Sequence, residues 1–135
     1  MAPATSMRDR EPVVLCIDDD AQILAALRRL LRSEPYEVIT ASNAAQGLAS
    51  LRSRPVEVVV ADERMPDTNG CELLAEVRQR WPWIGRVILT AHPGPSVMVR
   101  GQEAGIDYLI NKPWDDRLLK NTIRRLIFAP EEEEA

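Results

Sequence analysis

The residues of this 135-residue chain that could do chemistry fall in four places. Asp18-Asp19-Asp20 closes the apolar run Val13 to Ile17, and Asp62 closes the apolar run Val56 to Ala61. Thr90 ends the segment Arg86 to Thr90, and Lys112-Pro113 follows Asp107 to Asn111. Carboxylates gathered at neighbouring strand ends repel one another unless a cation lies between them. Magnesium suits such a place, because it takes oxygen ligands, keeps several waters and needs only one or two carboxylates plus a phosphate. A carboxylate can also attack phosphorus and form an aspartyl phosphate. The oxygens of a transferring phosphoryl group then need compensating charge, which the mobile ammonium of Lys112 and the hydroxyl of Thr90 can supply. The set holds a nucleophile, a metal site, a cation and a hydroxyl. It holds no evident general base for fast hydrolysis, so a lasting phosphorylated state is compatible with it.

The surrounding pattern must bring these residues together. Val13 to Ile17 and Val56 to Ala61 read as strands buried on both faces, each ending in an acid. Tyr36 to Thr40, Arg86 to Thr90 and Asp107 to Asn111 read as three more strands. Between them lie helical patterns. Ile23, Leu24, Leu27, Leu30 and Leu31 share one face, with Asp20 as N-cap and Pro35 as the stop. Asn43 to Ser53, a helix marked by Leu73, Leu74 and Val77, Ser96 to Ala104, and Asp115 to Phe128 complete the series. Residues 63–70 form a loop punctuated by Pro66 and Gly70. Strands alternating with helices imply a parallel sheet covered on both faces, an α/β doubly wound domain. In such sheets ligands bind beyond the carboxyl ends of the strands, where all the singled-out residues lie.

Composition sets bounds. Apolar residues make up 45 % and charged residues 28 %, the balance of one globular domain. The net charge is −4, and Glu131 to Glu134 account for that excess. No basic stripe invites nucleic acid. No apolar run nears the ~20 residues that span a bilayer, and the N-terminus lacks a secretory pattern. We therefore expect a flexible leader over 1–12, a domain over 13–128 and an acidic tail over 129–135, with no direct nucleic-acid or membrane partner. Cys16 and Cys71 fit no metal spacing; two reduced thiols are expected, with a disulfide or a zinc site as the alternatives. Trp81, Trp83 and Trp114 are expected to pack at helix edges.

The stretch from Val13 to Phe128 resembles the receiver domain of response regulators in two-component signal transduction. The resemblance rests on Asp18-Asp19, Asp62, Met65-Pro66 with Gly70, Thr90 and Lys112-Pro113, five motifs in order at the expected strand ends. It implies a flavodoxin-like domain, with a five-stranded parallel sheet in order 2-1-3-4-5 flanked by five helices. It implies that Asp62 accepts a phosphoryl group from a sensor histidine kinase or a histidine phosphotransfer protein. Asp19 and Asp62 would hold Mg2+ directly, Asp18 through water and Arg64 through its backbone carbonyl. Thr90 and Lys112 would bind phosphoryl oxygens, with a cis bond before Pro113. Arg64 and His92, each two residues beyond a site residue, would tune dephosphorylation. Location would be cytoplasmic, the state a monomer or weak dimer. A downstream protein would read the face made by the fourth helix, fifth strand and fifth helix. The wording around Asp62 and Lys112 is similar to that of receivers standing ahead of transcription-activator or cyclic-dinucleotide phosphodiesterase modules.

In this family an aromatic residue three positions before the site Lys couples to the Thr. Here that position is Leu109, and the aromatic residue is Tyr108. Alternation should put Tyr108 on the face opposite Leu109, unless a bulge intervenes. Three other functions compete. One is a receiver-fold interaction module that works without phosphate. Another is a receiver that is part of a longer regulator. The last is a hydrolase of the haloacid-dehalogenase type using Asp18 of the Asp-x-Asp as nucleophile.

Overall fold

The computed structural model describes residues 10–128. Expectations that fall on residues 1–9 and 129–135 lie outside the described residues. Ten elements alternate: β1 (Val13–Ile17), α1 (Ala21–Leu31), β2 (Glu37–Ala41), α2 (Ala44–Ser53), β3 (Val58–Asp62), α3 (Gly70–Arg80), β4 (Gly85–Thr90), α4 (Pro95–Ala104), β5 (Tyr108–Asn111) and α5 (Asp116–Phe128). Every strand pair is parallel, and the order is β2-β1-β3-β4-β5. This is the doubly wound α/β fold that the alternation implies.

Successive side chains of a strand point to opposite faces, so the sheet builds two cores. On one face Leu15, Ile17, Val59, Ala61 and Ile88 meet Leu51 of α2 and Leu73, Leu74 and Val77 of α3. On the other, Val14, Cys16, Val58, Val60 and Leu89 meet Leu27 and Leu31 of α1 and Leu119 and Ile123 of α5. Each large aliphatic side chain withdrawn from water contributes about 1.5–3 kcal/mol. These layers fix where the strand ends stand.

Local chemistry sets the helix starts. Asp20, Asn43 and Asn69 each accept an amide of the first turn, from Gln22, Gln46 and Glu72 respectively; such a cap is worth about 1 kcal/mol. α4 has none. It starts after Gly94 with Pro95 at the first position, where a missing N–H costs nothing. It ends at Gly105 with φ +75°, a left-handed turn that glycine adopts without strain.

Boundaries differ from the sequence pattern by one or two residues. β3 begins at Val58 and includes Asp62, because the run enters the ladder only after the Glu57 amide meets the Val13 carbonyl at 2.8 Å. Arg10 to Pro12, within the expected leader, already make contacts: Arg10 pairs with Glu57, and the Pro12 carbonyl accepts the Glu37 amide at 2.8 Å. Trp81 and Trp114 pack against the two cores as expected, but Trp83 is 73 % exposed and packs little. Cys16 and Cys71 are free and buried, and burial pushes both thiols up to about 12, which leaves them protonated and inert.

Candidate functional site

The carboxyl ends of β1, β3, β4 and β5 converge at one rim of the sheet. Asp18, Asp19 and Asp62 each place a carboxylate oxygen there, all within 4.8 Å of one another. The Lys112 Nζ stands 2.8 Å from Asp18 Oδ2 and 3.3 Å from Asp62 Oδ1. The lysine reaches this point from a cis peptide bond to Pro113, and its amide donates to the Thr90 carbonyl at 2.8 Å.

The three acids differ. Asp18 is 3 % exposed, with one oxygen accepting the Asp20 amide at 2.8 Å and the other accepting from Lys112. Both oxygens being engaged, Asp18 is poorly placed as a nucleophile. Asp19 is exposed. Asp62 lies between, largely but not wholly covered. Burial raises its carboxyl pKa; Lys112 opposes this, Asp18 reinforces it, and the net direction is upward. Burial works against the Lys112 charge too, but the bond and field of Asp18 and then of Asp62 outweigh it and raise its pKa. Three carboxylates against one ammonium leave a surplus of two negative charges. Oxygen ligands at this spacing with that surplus fit a hard divalent cation such as magnesium.

Thr90 is buried, and its hydroxyl oxygen accepts the His92 amide at 3.0 Å. His92 and Arg64 are exposed. With Glu63, Met65, Thr90 and Arg100 they line a cleft of about 290 Å3 beside the site. On β5 the register runs one for one, from Val87–Tyr108 through Ile88–Leu109 and Leu89–Ile110 to Thr90–Asn111. No bulge interrupts it. Leu109 packs with the core that holds α2 and α3, whereas Ile110 packs with that of α1 and α5. Tyr108, two residues before Ile110, shares the latter face and is 36 % exposed.

Sequence reasoning missed two residues of the β3–α3 loop. Asp67 reaches back to the start of α2 and accepts the Ala44 and Ala45 amides at 3.2 and 3.1 Å, bonds that lower its pKa. Glu63 is buried and bonded to Cys71 and Arg100. A signal for Glu63 was present: strand alternation carries Val59, Ala61 and then residue 63 onto one buried face.

Residues 14–124 match the family model of the response regulator receiver domain. The chain is 40 % identical over 124 residues to the hydrogenase transcriptional regulatory protein HoxA of Cupriavidus necator, covering 91 % of this chain and 26 % of that protein. It is 37 % identical to the transcriptional regulatory protein KdpE of Mycobacterium tuberculosis, covering 90 % of this chain and 55 % of that one. The chain thus spans about a quarter to about half the length of these relatives. Among solved structures it is similar to the signal receiver domain of an HD domain-containing protein from Pseudomonas fluorescens. That match has a TM-score of 0.84 and 34 % identity, and covers 87 % of this chain and 94 % of that one. A CheY-like receiver domain from Methanospirillum hungatei superposes with a TM-score of 0.85 at 29 % identity, covering 93 % and 100 %.

Proposed function

Since this chain belongs to the response-regulator receiver family, a family of signalling domains rather than ordinary enzymes, we propose that Asp62 is its phosphoacceptor and that its phosphorylation state is the signal. The observation that carries this reading is the division of labour among the acids. Asp18 is buried and engaged, Asp19 is exposed at the edge, and Asp62 alone combines partial access with contact to Lys112. An oxygen of Asp62 attacks the phosphorus of a phosphohistidine on a sensor histidine kinase or histidine phosphotransfer protein. The phosphorus–nitrogen bond breaks, and its electron pair stays with the imidazole. Lys112 follows the charge from the carboxylates to a phosphoryl oxygen, and the Thr90 hydroxyl turns from the His92 amide to donate to another. Asp19 and Asp62 would hold Mg2+ directly, Asp18 through water and Arg64 through its carbonyl, and the ion supplies neutralising charge to the phosphoryl oxygens.

Arg64 and His92 line the cleft that adjoins the site and holds Thr90, a position from which they tune a slow self-dephosphorylation. The output surface is the α4–β5–α5 face, where Met98, Val99, Tyr108 and Leu118 are exposed. It would serve a downstream protein, with the chain a monomer or weak dimer, in the cytoplasm, and without direct nucleic-acid contact. No helix of the described residues is long and apolar enough to cross a membrane. The partial coverage of its relatives favours a second reading, that this receiver is the input part of a longer regulator.

Acetyl phosphate with magnesium should label Asp62, and Asp62→Asn should abolish the label. Peptide mapping that puts the adduct on Asp18 or Asp19 refutes the assignment.

A further inference from the structure

Glu63 directly follows Asp62 and is 3 % exposed. A carboxylate so far from water needs partners, and it draws them from two helices. The Cys71 amide, in the first turn of α3, donates to Oε1 at 3.1 Å, and the Arg100 guanidinium, from α4, donates to Oε2 at 2.7 Å. The Glu63 carbonyl also accepts the Gly70 amide at 2.9 Å. Backbone and side chain together therefore fix Glu63, the residue next to Asp62, to the first turn of α3.

Arg100 is held less firmly. Its side chain is 43 % exposed, and its other contact is to Ser96 at 2.6 Å, within its own helix. α4 buries only Val97, Gly101 and Ala104, two of them small, and no side chain caps its start. Among the described residues the Glu63–Arg100 pair is the one salt bridge that ties α4 to another element. At the far end of the helix the Arg86 Nε donates to the Gly105 carbonyl at 2.7 Å. On the side of the site, besides the salt bridge, Thr90 Oγ accepts the His92 amide just upstream of the helix. A phosphoryl group on Asp62 would act on both. It claims the Thr90 hydroxyl, and it brings a charge of about −1.5 to −2 beside Glu63. That charge repels the Glu63 carboxylate and offers Arg100, which lines the same cleft as Thr90, a second acceptor.

We propose that Glu63 and Arg100 form a latch that holds α4 against the phosphoacceptor segment, and that phosphorylation weakens it. The latch rests on the reading of Asp62 as phosphoacceptor. It supplies a coupling between site and helix at the place where Leu109 offers no ring.

Amide hydrogen exchange in residues 95–104 tests the latch, measured with and without beryllium fluoride and magnesium, alongside acetyl phosphate labelling of Asp62. Glu63→Gln keeps an acceptor for the Cys71 amide while removing the charge; Arg100→Gln removes the other end. Each variant should exchange about tenfold faster in α4 than wild type, the scale of one charged hydrogen bond. The double variant should exchange no faster than either single one. Arg100→Lys should lie between. Beryllium fluoride should raise wild-type exchange in α4 toward the level of the variants and change the variants little. Normal labelling of Asp62 with variant α4 exchange equal to wild type overturns the latch and spares the phosphoacceptor. Equal acceleration in β1 and β3 also overturns it, since that is global loss of stability. Absence of a label on wild-type Asp62 removes the phosphoacceptor reading and the latch together.

Discussion

The two ends of the sheet both bury charge, and they handle it in opposite ways. At the end where strands begin, every buried ion has its own partner. Glu57 accepts from Arg10 and from the Val13 amide at 2.6 Å. Glu34 is 9 % exposed and accepts from Arg124 at 2.7 Å, a bond that lowers its pKa. Arg86, also 9 % exposed, donates to the carbonyls of Gly105, Pro82 and Ile84. At the end where strands finish, three carboxylates gather with one lysine, which pairs with two of them, Asp18 and Asp62. What differs between the two ends is the number of partners. The first arrangement spends its polar contacts on holding the fold. The second leaves negative charge unbalanced, an arrangement that fits a hard divalent cation.

The widest separation of the two ends should come from removing one partner at each. Lys112→Ala leaves Asp18 and Asp62 without their cation and should destabilise the metal-free protein by about 3 kcal/mol, the low end for a buried pair because the rim is open to water. It should also slow Asp62 labelling severely. Glu57→Ala leaves the Val13 amide without its acceptor and should cost about 2 kcal/mol, with labelling unchanged. Urea melts and labelling time courses on both variants would break the contrast if Glu57→Ala impaired labelling as well.

Magnesium provides the next test. Binding only the folded arrangement, it should stabilise by about 2.7 kcal/mol at a hundredfold excess over its Kd. Asp19→Asn should lose most of that gain while being no less stable without metal. An equal rise of Tm with magnesium in wild type and Asp19→Asn would show that the ion acts elsewhere.

Much of this was legible beforehand. The apolar runs ending in Asp18 and Asp62 mark strands and their direction at once, because a doubly covered strand cannot keep carboxylates except at its end. The offset of Tyr108 from Leu109 was legible too, since alternation in an unbroken register leaves no freedom. The long-range ion pairs were not. Glu34 and Arg124 lie 90 residues apart, Arg10 and Glu57 lie 47, and Glu63 and Arg100 lie 37. Such pairs are set by how helices settle on the sheet, which no local period encodes. Trp83 misled because its size suggests burial, whereas its place in a short turn before β4 leaves it outside.

The smallest effect is one of pH. The folded pKa of Asp62 is raised above its usual 3.8, chiefly by burial. Its contribution to stability is therefore full below that value and is lost as pH rises through the folded pKa. Relative to Asp62→Asn, metal-free wild type should lose stability on going from about pH 4 to about pH 7. Urea midpoints for the two proteins across that range should diverge, with Asp62→Asn the more stable at neutral pH. Parallel curves would mean that Asp62 carries no net burden, and the contrast between the two ends would lose one of its supports.

Gly70 carries a further consequence, for how this loop can change over generations. A β-carbon there would stand 2.5 Å from the Asp62 carbonyl oxygen and 2.8 Å from Ile88 Cδ1. The Ile88 side chain could rotate away, but the Asp62 carbonyl cannot yield without moving β3 itself. Every side chain larger than hydrogen is thus closed to this position. A lineage descended from this chain can explore new residues at the exposed positions between Arg64 and Asn69, but only inside a loop whose last hinge is pinned to the backbone of its first.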